Sequence, residues 1–130
     1  MNMNKENVIY KFKGIRMLET GDYQIGDLLF KIERLCLYKG EKEIIDLNYQ
    51  QAQILKMFLE AEDHFLHKEK AIERLWPHLY TNDDAISSNL HNRFNMCIAR
   101  LRKALSADND IEVLCRTKKG YQLIVKDQTT

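Results

Sequence analysis

The chain has 130 residues, 45% of them hydrophobic and 30% charged, with one proline and five glycines. That length supports one domain with a hydrophobic core and is too short for two of ordinary size, and the composition fits a compact domain better than a disordered tail. The formal net charge of +1 excludes a uniformly basic polyelectrolyte, so a nucleic-acid partner must be served by local charge.

Local charge is uneven. Residues 41–84 hold ten acidic side chains against five basic ones, Lys42, Lys56, Lys68, Lys70 and Arg74. Over residues 89–119 the balance reverses, with Arg93, Arg100, Arg102, Lys103, Arg116, Lys118 and Lys119 against Asp108, Asp110 and Glu112. Cys36, Cys97 and Cys115 are odd in number, lack a ligand spacing and sit in apolar runs, the pattern of reduced thiols in a cytosolic protein. No stretch approaches the length of a membrane span, and the polar start MNMNKEN has no apolar signal core, so a cytoplasmic location without membrane contact is expected.

Residues 1–20 read as a lead-in or linker, with Val8-Ile9-Tyr10-Lys11-Phe12 its one short strand-like run. Four β-type runs follow, at residues 23–25, 28–32, 35–38 and 43–46, separated by Gly26-Asp27, Glu33-Arg34 and Lys39-Gly40-Glu41-Lys42. A four-stranded antiparallel sheet of this size needs helices packed on one face.

The period then becomes helical. Asn48 and Gln51 form an Asn-x-x-Gln capping box for a first helix over residues 49–61, with Ala52, Leu55, Phe58 and Leu59 as its apolar stripe. Glu62-Asp63-His64 interrupts the pattern, and Phe65-Leu66 reads as a short apolar anchor. A second helix over residues 68–75 turns Ala71, Ile72, Leu75 and Trp76 inward before Pro77 ends it. Residues 77–84 form a loop, and Asp83, Asp84, Ser87 and Ser88 are all competent caps for a third helix ending at Leu105.

That third helix has two unlike faces. At 100° per residue Leu90, Phe94, Cys97, Ile98, Leu101 and Leu105 share about a third of its circumference. Asn89, Asn92, Arg93, Met96, Ala99, Arg100 and Lys103 share the other side. Such a cationic face is equally the pattern of a solvated surface, so its context decides. Residues 111–125 supply that context as two β-type runs around Thr117-Lys118-Lys119-Gly120, with Gly120 available for the positive φ of a hairpin turn.

Sheet, three helices and hairpin, in that order, resemble the OmpR/PhoB-type DNA-binding domain of bacterial response regulators. The resemblance covers about residues 23–125. It rests on Ile25-Gly26-Asp27-Leu28 opening the sheet, Leu47-Asn48-x-x-Gln51 at the first helix, and Leu75-Trp76 closing the second. Ile98-x-Arg100-Leu101-Arg102-Lys103-x-Leu105 then ends the third helix, and Gly120-Tyr121 closes the hairpin. It implies an α+β winged helix-turn-helix over residues 21–126, acting as a transcription regulator of two-component phosphorelay type. That makes the chain a stand-alone regulator or the effector piece of a longer protein.

An α-helix fits the major groove of B-DNA, where Arg can bond both acceptors of guanine and Asn can pair with adenine. Arg93 and Arg100 are therefore the first candidates for base edges, with Asn89, Asn92 and Met96 second. Arg102 and Lys103 suit phosphate positioning. The wing candidates are Arg116, Thr117, Lys118 and Lys119, whose cations suit a narrow, negative minor groove, although a soluble hairpin tip has the same composition. The resemblance implies two copies on direct repeats of double-stranded DNA, and a loop at Tyr80, Asp83 and Asp84 that contacts RNA polymerase.

Two positions depart from the family pattern. Lys118 stands where the wing commonly has a glycine, and His67 takes the usual serine cap of the second helix. Trp76 and Phe94, at inward positions, read as core rather than stacking platforms. His64 and His67 lack a third ligand at zinc-like spacing, and no nucleophile-base pair or phosphate-binding glycine loop stands out. The chain is thus expected to be neither a metal site nor an enzyme and to need no cofactor. The near-neutral charge leaves one rival from another class, a winged helix used as a protein-interaction module.

Overall fold

The computed structural model describes residues 14–40, 43–79, 82–117 and 119–126. The Val8-Phe12 run, Glu41, Lys42, Tyr80 and Lys118 lie outside the described residues. Within them the fold is α+β, with three α-helices and two antiparallel sheets.

The first sheet is a meander of β1 (Ile15–Met17), β2 (Tyr23–Ile25), β3 (Leu28–Lys31), β4 (Cys36–Lys39) and β5 (Glu43–Ile45), paired in sequence order. It corrects the expected four strands to five. Ile15–Met17, read as lead-in, pairs with β2 through Ile15↔Ile25 and Met17↔Tyr23. Three residues are too few to show a period of two, so this edge strand carries no sequence signal. Alternation sends Ile25, Leu28, Phe30 and Leu37 into the core, all with no exposed surface.

Leu35, expected to open a strand, takes φ 53 in the β3–β4 turn instead. Gly26 has φ 55 in the two-residue β2–β3 turn, where a Cβ would run into the Asp108 carboxylate. The Asp27 N–H donates to Asp108 Oδ2 at 2.8 Å, which ties this turn to the chain 81 residues later.

Helix α1 (Tyr49–Glu60) starts with both bonds of the capping box: Gln51 N–H donates to Asn48 Oδ1 at 2.8 Å, and Asn48 N–H to Gln51 Oε1 at 3.2 Å. It buries Ala52, Leu55, Phe58 and Leu59, and adds Ile54 and Met57. A short 3₁₀ turn (Glu62–His64) leads into β6 (Phe65–His67), so the apolar anchor at Phe65-Leu66 is a strand. Helix α2 (Lys68–Leu75) has no side-chain cap from His67, and its Lys68 N–H donates instead to the Lys119 carbonyl at 2.9 Å.

Helix α3 (Asp84–Leu105) is capped by Asp83 and runs 22 residues. It buries the six apolar residues its stripe predicts. Phe30, Phe58 and Phe94, from the sheet, α1 and α3, are fully buried in one shared core. Strands β7 (Ile111–Arg116) and β8 (Gly120–Val125) form the hairpin, and β6 adds to it in the order β6-β8-β7.

The hairpin turn differs from expectation in one physical respect. Thr117, not Gly120, has positive φ, at 59. Gly120 is needed for a different reason: opposite His67 in the β6 pairing, a Cβ there would collide with the Leu66 carbonyl. Among the described residues no helix is long and apolar enough to cross a membrane.

Candidate nucleic-acid interface

The cap of α3 sets the helix in place. Asp83 Oδ1 accepts from Ala85 N–H at 3.0 Å and Ile86 N–H at 3.2 Å, satisfying two donors that the first turn leaves open. Asp84 lies in the first turn and Arg102 and Lys103 in the last, so each charge complements the helix dipole. Two of the residues first assigned to a polymerase loop therefore form the start of α3, and Tyr80 lies outside the described residues.

Because the apolar stripe faces α1 and the sheets, the opposite face is left outward. Asn89, Asn92, Arg93, Met96, Ala99, Arg100 and Lys103 are all exposed there, Met96 at 55%. The flanks of this face are engaged with neighbouring elements. His91 Nε2 lies 2.7 Å from Glu69 Oε1 on α2. The Arg93 guanidinium lies over the Trp76 ring, 5.4 Å from its centroid. Trp76 itself is 7% exposed and belongs to the core, where its position closing α2 puts it.

On the other flank α3 is fastened to the hairpin. Arg102 Nε donates to the Val113 carbonyl at 2.9 Å, and its guanidinium lies 5.5 Å over the Tyr121 ring. The Tyr121 hydroxyl donates to Asn95 Oδ1 at 3.3 Å, while its ring packs beside Phe94 at 6.1 Å. Burial pushes the Tyr121 pKa up, Cys115 adds to that rise, and Arg102 opposes it. Burial likewise raises the Cys97 thiol against the pull of Arg100 and Arg93.

The hairpin tip carries further cations. Arg116 Nε donates to Gln122 Oε1 at 2.9 Å, which holds its side chain across β8. Thr117 Oγ1 donates to the Arg116 carbonyl and accepts from Lys119 N–H at 3.3 Å. Arg116, Thr117 and Lys119 are exposed, and Lys118 lies outside the described residues.

His64 and His67 have local roles. His64 Nδ1 sits 3.2 Å from the Phe58 carbonyl, and the His67 ring meets Phe65 edge-on at 4.8 Å.

Sequence reasoning missed Asn95 and Tyr121 as fasteners of helix to hairpin, Gln122 as the link from the hairpin to the Asp63 carbonyl, and Glu69 as the partner of His91. None has a local signal, because each pairing joins elements far apart in the chain.

No protein-family model matches the chain. Over 124 residues, 94% of its length, the chain is 26% identical to the transcriptional regulatory protein RprY of Bacteroides fragilis strain YCH46. It spans about half of that relative, 48%.

Proposed function

We propose that the chain is a sequence-specific DNA-binding transcription regulator built as an OmpR/PhoB-type winged helix-turn-helix, with α3 in the major groove. In this reading the β7–β8 hairpin is the wing, laid on the adjacent minor groove or backbone. One observation carries it: exposed amides and guanidiniums share the outward face of a single helix, and a cationic hairpin is fastened beside that helix. Arg100 reaches for base edges with Asn89, Asn92 and Met96, and Arg93 joins them by leaving the Trp76 ring; Arg102, its Nε held by the Val113 carbonyl, turns its remaining N–H groups to phosphate with Lys103 and the hairpin cations. The similarity to a transcriptional regulatory protein supports the regulatory half of the reading.

The same reading makes the chain a response-regulator effector in the bacterial cytoplasm. It binds double-stranded DNA as two copies on direct repeats and signals to RNA polymerase. It is a binding protein, not an enzyme, and works without a cofactor.

Retention of random genomic duplexes in an electrophoretic shift tests it. With about five phosphates contacted, log Kd should change with log salt with a slope magnitude of about 4 to 5. A slope near zero, or unchanged binding by Arg100→Ala, overturns it. The net charge of +1 favours a second reading, a winged helix that docks on protein. No retention of duplex at low salt, together with a co-purifying protein partner, would decide for that one.

A further inference from the structure

Met96 is among the few large apolar side chains the fold leaves exposed, at 55%, and it lies in the middle of α3. With 100° per residue it stands about 180° from Leu105, which is 1% exposed, so it lies on the outward face together with Asn92 and Lys103. Within about 60° of it on the same face lie Asn89, Asn92, Arg93, Ala99, Arg100 and Lys103. Arg93 stacks over Trp76 at 5.4 Å, which draws its guanidinium toward α2. What remains around Met96 is an apolar centre, Met96 and Ala99, with Asn92 one turn before it and Arg100 one turn after.

We infer that Met96 is a specificity-determining residue that reads a thymine methyl at the centre of the bound DNA site. This rests on the DNA-binding reading above and names the class of sequence that reading implies. Thymine alone presents a methyl group in the major groove of unmodified DNA, and an apolar side chain is the group that rewards it. Methionine suits the task because its unbranched thioether adapts to an irregular surface. Four residues of helix rise about 6 Å, or about two base-pair steps, so Asn92 and Arg100 reach pairs on either side of that thymine. Asn92 there favours adenine and Arg100 favours guanine. The half-site is therefore asymmetric, with adenine toward the N-terminal end of α3, thymine at its centre and guanine toward the C-terminal end.

The test removes the methyl and nothing else. A site is first selected from random-sequence duplexes with the intact chain, and uracil then replaces thymine at one position at a time while binding is followed by fluorescence anisotropy. At one central position the change should weaken binding about fourfold, the equivalent of one buried methyl. Met96→Ala, at an exposed helical position that leaves the core untouched, should bind thymine and uracil duplexes equally there, and Met96→Leu should restore the difference. A selected site bound with equal affinity after every uracil exchange overturns the role of Met96 while leaving DNA binding intact. So does an undiminished uracil effect in Met96→Ala. If no duplex is retained at low salt, the inference falls together with the reading it rests on.

Discussion

The Arg93 guanidinium lies 5.4 Å above the Trp76 ring, so the side chain that closes α2 also holds a cation of α3. Trp76 is 7% exposed and packs in the core, whereas Arg93 is exposed. The two truncations should therefore differ widely. Trp76→Ala should cost about 3 to 5 kcal/mol through the cavity it leaves. Arg93→Ala should cost only about 0.5 to 1 kcal/mol, the worth of an exposed cation–π pair. Urea unfolding of both variants measures the contrast, and equal losses would mean that the stack, not the packing, supports this corner.

Asp108 is 8% exposed and its carboxylate accepts the Asp27 N–H at 2.8 Å and the Asp110 N–H at 2.9 Å. It thereby joins the first sheet to the loop after α3. Asp108→Ala leaves two part-buried donors without their acceptor and should destabilise by about 2 to 4 kcal/mol, below the full penalty of about 1 to 3 for each of two wholly buried donors. Amide hydrogen exchange supplies the specific readout: Asp27 and Asp110 should lose protection before the strands around them. Unchanged protection at Asp27 would show that the turn does not depend on this carboxylate.

The hairpin turn separates two kinds of backbone constraint. Thr117 is β-branched yet has φ 59, a region it enters at a cost, and asparagine tolerates that region better. Thr117→Asn should raise the unfolding midpoint, since the amide oxygen can still receive the Lys119 N–H. Gly120→Ala should lower it, with a stability loss above the roughly 1 kcal/mol of an ordinary glycine exchange, because the new Cβ meets the Leu66 carbonyl across the β6–β8 pairing. Thermal melts of the two variants moving in the same direction would refute this division of labour.

These constraints mark where sequence reasoning runs out. The stripe of α3 was legible because six apolar residues keep one period over four turns, and the Asn48-Gln51 box because both halves lie within one turn. Strand β1 has three residues and no such period, and β6 is a strand only because β8, more than fifty residues later, pairs with it. Gly120 was readable as necessary, but its reason is a close approach that sequence does not contain. On the outward face of α3 the identity of the residues was legible, whereas their division was not. Trp76 claims Arg93 and the hairpin claims Arg102 through contacts between distant segments.

Alkaline pH should loosen the fold by a route that begins at Cys97. Burial raises its thiol above the ordinary 9.0 and the Tyr121 phenol above 10.0. Above pH 9 the unfolded chain loses the Cys97 proton while the folded chain keeps it, so the unfolded state binds fewer protons and stability falls as pH rises. Below that window the group contributes no slope. Unfolding midpoints should decline from about pH 9 upward, and Cys97→Ala should flatten the first part of that decline. A midpoint that rises through this range would contradict the burial argument.

Arg100 and Lys103 lie on the same outward face yet should fail in different ways when removed. Arg100 stands one turn beyond Met96, near the middle of the face, where a guanidinium can reach a guanine edge. Lys103 lies in the last turn of α3; with α3 in the groove as proposed, its ammonium would meet the phosphate backbone as a point charge. Arg100→Ala should cost about 1 to 3 kcal/mol on the selected site and much less on unrelated duplex, so the ratio between the two collapses. Lys103→Ala should weaken both by a similar factor, keep their ratio, and lower the salt slope by about 0.9 for the one phosphate lost. Binding isotherms at four salt concentrations, on one selected and one scrambled duplex, resolve the two patterns. If Lys103→Ala erodes the ratio and Arg100→Ala changes only the slope, the roles are exchanged, and the helix enters the groove by its C-terminal end rather than its centre.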